Sequence, residues 1–178
     1  MKKLTLITLL VFATISLMAQ HSYDADFTQI KVTKGSETMV EKAGHLVFDG
    51  AENLVMIYSQ PEGESFIIEG NLVKINMDGK NVVLHADKLK SVGSQRSTLL
   101  NCMAGNWEQA AIDNDAETTI TEENGNRTIF IDAREAKKAA KGGYITVTVT
   151  YRISDGALLT MILEQKNGVI NTYEMIYN

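Results

Sequence analysis

Residues 145–153 read Ile-Thr-Val-Thr-Val-Thr-Tyr-Arg-Ile, apolar and polar in strict alternation. Only an extended strand sends successive side chains to opposite faces, so this segment predicts a strand with one buried face. The same period, kept more loosely, recurs along most of the chain. From Tyr23 to Val32 it sets Ala25, Phe27 and Gln29 on one face and Ile30 and Val32 on the other. Leu54, Met56 and Tyr58 share a face of a third strand, after one predicted over 38–48. Further strands are predicted over 65–69, 72–77, 81–86, 116–121, 128–131, 158–164 and 169–177. Gly35-Ser36, Gly70-Asn71, Asp78-Gly79, Asn124-Gly125, Asp155-Gly156 and Asn167-Gly168 supply the turns. Pro61, the sole proline, has no N–H to give to a ladder and marks a turn over 59–63.

The period changes at Ser97. Leu99, Leu100, Met103, Trp107 and Ala110 or Ala111 fall on one stripe of a helix spanning 97–111. Ser97 or Thr98 is the predicted N-cap, and Gly105 weakens the helix by ~1 kcal/mol relative to alanine. A second, short helix is predicted over 132–141, with Asp132 as its cap and Gly142 as its stop. The pattern is therefore mainly β, an antiparallel meander of about nine to eleven strands. A sheet that large curls, and the apolar helix is the natural cover for its concave face.

The N-terminus changes the picture of location. Lys2 and Lys3 precede an apolar run from Leu4 to Met18, and Ala19 offers a small cleavage residue. Residues 1–20 thus read as a cleaved signal peptide, too short for a membrane anchor, which directs the remaining domain, 21–178, to the periplasm. Removing Lys2 and Lys3 from the 17 basic residues leaves 15 against 22 acidic ones, a net of −7. That charge argues against nucleic acid and against an anionic bilayer surface as partners. Cys102 is the single cysteine, so an internal disulfide is excluded, and it reads as a small buried residue. His21, His45 and His85 have no metal-ligand spacing, and no G-x-S-x-G elbow, P-loop or G-x-G-x-x-G is present. Neither catalysis nor a metal or cofactor is expected.

The order of these segments resembles the LolA-type carriers of outer-membrane lipoproteins. The matching residues are Asp26-Phe-Thr-Gln29, Gly44-His-Leu-Val-Phe48, Leu54 to Tyr58 before Gln60-Pro61, Glu69-Gly70, and Asp155-Gly156-Ala-Leu158 with Asn167-Gly168. The likeness spans nearly all of residues 21–178. It implies an open, incomplete β-barrel lidded by helices, with a hydrophobic cavity for the acyl chains of a lipoprotein or lipid. By position it implies lipid-binding roles for Phe27, Leu46, Phe48, Leu54, Met56, Tyr58, Leu99, Met103, Trp107 and Met161. It also implies an inner-membrane release complex and an outer-membrane acceptor as protein partners, and a monomeric carrier. Two features depart from the family. No amphipathic helix is predicted between the signal peptide and Tyr23. Anchored on Pro61, Gly50 stands in the family's Arg position and Met56 in its Trp position, so two residues of the family's loading and handover route are missing.

Elementary energetics bear on a carrier. Each buried CH₂ is worth ~0.8 kcal/mol, so a fully enclosed long chain would bind by on the order of 12 kcal/mol, too tightly for a shuttle. A partly open, adaptable pocket is needed, and methionine suits it because its thioether chain repacks. Met39, Met56, Met77, Met103, Met161 and Met175 lie outside the leader, although methionine is also ordinary core filler. Two other classes stay open: an envelope-stress sensor that uses the same scaffold to contact a membrane partner, and a periplasmic esterase.

Overall fold

The computed structural model describes residues 21–35, 39–136 and 143–177. Six strands come first: β1 (Tyr23–Thr33), β2 (Met39–Phe48), β3 (Asn53–Gln60), β4 (Glu62–Glu69), β5 (Leu72–Met77) and β6 (Lys80–His85). Helices α1 (Lys90–Met103) and α2 (Trp107–Asn114) follow. Five strands close the chain: β7 (Glu117–Glu123), β8 (Asn126–Asp132), β9 (Tyr144–Arg152), β10 (Leu158–Gln165) and β11 (Val169–Ile176).

All eleven strands form one antiparallel sheet in the order β6-β5-β4-β3-β2-β1-β11-β10-β9-β8-β7. The first and last strands pair at its centre, Phe27 opposite Met175 and Ile30 opposite Thr172. Two meanders thus form two wings, and among the described residues β6 and β7 are the outer edges. The helices join those edges. Eleven strands laid flat would span about 48 Å, whereas α1 is only about 21 Å long and α2 about 12 Å. The helices also pack against each other rather than run end to end. The wings therefore curl toward them, giving an open half-barrel with a helical lid.

Alternation builds the core on the concave face. Tyr23, Ala25, Phe27 and Gln29 of β1 point inward, as do Leu46 and Phe48 of β2 and Leu54, Met56 and Tyr58 of β3. On the other wing Ile129, Ile131, Val147, Val149, Tyr151, Met161 and Leu163 do the same. Against these the lid sets Leu99, Leu100, Cys102 and Met103.

The lid departs from its predicted bounds. It begins at Lys90, a full two turns before Ser97, and breaks into two helices. Ser97 and Thr98 do not cap it. The Ser97 hydroxyl donates to Asp113 (3.1 Å), and Thr98 Oγ1 accepts from Asn114 Nδ2 (2.8 Å), so both tie α1 to α2. The break falls at Gly105, whose φ of +80° is the left-handed conformation that ends helices. The lid is also pinned to both wings: Arg96 Nε donates to Gly70 O (2.6 Å) at the β4–β5 turn, and the Tyr151 hydroxyl donates to Cys102 O from β9. Of the second predicted helix, Asp132 ends β8 and 133–136 form a turn; 137–142 lie outside the described residues, as does the signal peptide.

Candidate functional site: a methionine-lined cavity under the lid

A cavity of about 390 Å³ lies between α1 and the concave face. That is within the range of ligand pockets, ~300–1,000 Å³. Its walls come from β1 to β6, from β9 to β11 and from α1, so both wings and the lid contribute. Of the six methionines at or beyond position 39, five border it: Met56, Met77, Met103, Met161 and Met175. Met39 is 54% exposed and stands apart. Alternation explains this convergence. Met56 and Met161 occupy inward positions of opposite wings, and Met103 descends from the last turn of α1 between them.

Leu46, Met56, Tyr58, Leu99, Met103 and Met161, all predicted to bind lipid, are brought together on this cavity. The other four are placed elsewhere. Phe27 lies behind the wall, its ring edge-on to Tyr58 (5.2 Å between centroids) and tilted against Tyr173 (6.3 Å). Phe48 and Leu54 fill the core beyond it, Phe48 stacked with Tyr23. Trp107 opens α2 and borders a separate hollow of about 150 Å³ with His21, Arg127 and Arg152. The remaining walls, including Phe66, Ile75, Tyr144 and Tyr173, escaped the prediction. The positional likeness reached chiefly β1 to β3 and the lid. The inward alternation of β4, β5 and β11 carries the signal that would have found Phe66, Ile75 and Tyr173, whereas Tyr144 has the opposite parity to the inward Val147, Val149 and Tyr151 and reaches the cavity where the β9–β10 register shifts.

One end of the cavity is polar. The Tyr58 hydroxyl donates to Gln29 Oε1 (2.9 Å), and Gln29 Nε2 donates to Asn171 Oδ1 (2.9 Å). Lys42 forms an ion pair with Glu64, with side chains only 12% and 10% exposed. Its ammonium lies 5.4 Å from the centroid of the Tyr58 ring. The Asp78 backbone N–H donates to Glu64 Oε1 (3.1 Å). Burial pushes the Glu64 carboxyl up, but the Lys42 and Asp78 hydrogen bonds outweigh it, and the group titrates below its ordinary value. Burial raises the Tyr58, Tyr144 and Tyr173 phenols above their ordinary value, so all three remain O–H donors at neutral pH.

Among the described residues no Ser, Thr, Cys or His borders the cavity. Cys102 is buried in the core, where burial pushes its thiol up to about 12; only the thiolate is a nucleophile. His45 sits on the outer face of β2, its Nδ1 2.9 Å from Asp26 and its Nε2 3.1 Å from Asp24. No cluster of His, Cys, Asp or Glu among the described residues is placed to hold a metal ion. The cavity combines an apolar, methionine-rich wall with a hydrogen-bonding end.

No protein-family model and no curated protein matches the chain. Solved structures do. The chain is similar to a LolA superfamily protein of Nitrosomonas europaea at 11% identity and a TM-score of 0.38, over 90% of this chain and 88% of that one. It is similar to a putative outer membrane lipoprotein-sorting protein domain of Vibrio parahaemolyticus at 13% identity and 0.41, over 88% and 83%. A third likeness is to the MucA/MucB complex of Pseudomonas aeruginosa, at 10% identity and 0.44, over 89% of this chain and 52% of that one. At these scores the likenesses assign neither a function nor a site residue.

Proposed function

We propose that this protein is a periplasmic, non-catalytic carrier that shelters an acyl chain of a lipoprotein or lipid in the cavity under its lid. One observation carries the reading: five methionines from both wings and the lid converge on a space that their own side chains leave open. Core-filling methionines would have closed it, because native interiors leave few voids larger than a water molecule. Methionine lets such a wall follow ligands of different length and branching. The ordered sequence likeness to LolA-type carriers supports the same reading, with acyl transfer toward the outer membrane as the process served.

The test is binding of a fluorescent fatty acid to the purified protein and to Met56→Glu. A carboxylate on this wall loses solvation when a hydrocarbon tail enters. The expected result is at least a tenfold loss of affinity, with the melting transition retained. Affinity equal to wild type in a folded Met56→Glu protein removes Met56 from the pocket. Native mass spectrometry supplies a second readout, and a carrier retains co-purifying lipid. A preparation that holds a protein partner and no lipid favours the sensor alternative.

A further inference from the structure

Along β1 the inward positions run Tyr23, Ala25, Phe27, Gln29, Lys31. Hydrocarbon gives way to an amide and then to an ammonium. Lys31 borders the cavity and is exposed, which places it at the mouth. In the sheet register it stands opposite Asn171 of β11. The Asn171 side-chain oxygen is taken by Gln29, and its amide N–H groups have no acceptor among the described residues. Lys42, the other cation on the wall, is neutralised by Glu64. Lys31 makes no ion pair among the described residues. The one carboxylate on the wall, Asp78, sits in the β5–β6 turn, four strands from β1 at the outer edge of the same wing.

The mouth beside β1 and β11 therefore offers donors and one positive charge with no ion pair among the described residues, while the interior offers Met56, Met103 and Met161. We propose that the cavity selects a single-chain amphiphile with an anionic head, a carboxylate or a phosphate, the head held by Lys31 and Asn171. A volume of about 390 Å³ is near the small end of the ligand-pocket range. One acyl chain with its head has the atom count of a drug-sized ligand; a triacylated anchor has several times that. This inference rests on the acyl-carrier reading above and specifies its ligand.

The experiment compares matched ligands on the purified, lipid-stripped protein: a fluorescent fatty acid against its methyl ester, and lysophosphatidic acid against lysophosphatidylcholine. The expected result is about fivefold tighter binding of the anionic member at low salt, the scale of an exposed ion pair. Added salt narrows the gap. The pair with the wider gap identifies the head. Lys31→Met closes the gap between the anionic member and its neutral or zwitterionic match, whereas Lys31→Arg keeps it. Equal binding of acid and ester by the wild type, or a gap that survives in Lys31→Met, overturns the head selection and leaves the acyl cavity standing. Binding of none of the four ligands overturns both.

Discussion

Gly44 shows how one residue sets the wall of the site. It lies between Phe27 on β1 and Tyr58 on β3 in the sheet register, where the β2–β3 pairing slips by one residue. With no side chain at Gly44, the Phe27 and Tyr58 rings meet across the gap. A Cβ there would lie 2.2 Å from Ile57 O and 2.9 Å from Tyr58 Cα. Replacing glycine by alanine in an unstrained strand stabilises by ~0.4–1 kcal/mol, through the unfolded chain. Here backbone atoms block the methyl group and cannot swing aside, so the sign reverses. Gly44→Ala is expected to lose about 2–3 kcal/mol in urea unfolding. A loss below about 0.5 kcal/mol would show that β2 and β3 can part there at no cost.

At the scale of elements, the Lys42–Glu64 pair reaches from β2 to β4 over the intervening β3, closing over the Tyr58 ring. Glu64 also receives the N–H of Asp78, so one carboxylate joins three parts of a wing. The folded carboxyl titrates below its unfolded value of 4.5. Its stabilisation is therefore complete above about pH 4.5 and is lost as pH falls through the lower folded value. Glu64→Gln leaves Lys42 buried without its counter-charge and is expected to cost about 3 kcal/mol at pH 7. The difference from wild type should shrink as pH falls below 4.5 and through the lower folded value, where the native carboxyl takes up its proton. A difference that stays constant from pH 7 to pH 3 would assign the loss to packing.

Most of these elements are legible in the chain because strand alternation and Asx-Gly turns are local signals. Asp78-Gly79 and Asn124-Gly125 turn with positive φ at both residues, as two-residue hairpins require. The start of α1 was not legible. Residues 90–97 read Lys-Ser-Val-Gly-Ser-Gln-Arg-Ser, with one apolar residue to set a period. Their helix is held by tertiary bonds such as Arg96 to Gly70, and by the close passage of Gly93 over Ala86, where a Cβ would lie 2.6 Å from the carbonyl oxygen. The site was half legible for a related reason. Inward faces can be read from alternation, but which inward residues border an opening depends on how the two wings curl. Phe27 and Phe48 share their strand faces with cavity residues and still lie outside the cavity.

For the molecule as a whole, the tyrosines report whether the interior holds. Burial raises the phenol of all six, Tyr23, Tyr58, Tyr144, Tyr151, Tyr173 and Tyr177, above the ordinary value of 10. They line or back the concave face on both wings, so no single wing can shield them. The unfolded chain ionises each phenol near pH 10 and the folded chain does so later. Their contribution is thus complete below pH 10 and is lost as pH rises toward the folded values. At pH 11 each phenol kept protonated in the fold costs about 1.4 kcal/mol of stability. Tyr58 and Tyr151, both buried, together cost about 3 kcal/mol. Urea unfolding at pH 8, 10 and 11 should show a steep fall above pH 10, with phenolate absorbance rising only as the sheet's circular dichroism collapses. Phenolate that develops near pH 10 while the sheet signal persists would mean that water reaches the concave face freely. A lid that open could not shelter a hydrocarbon chain.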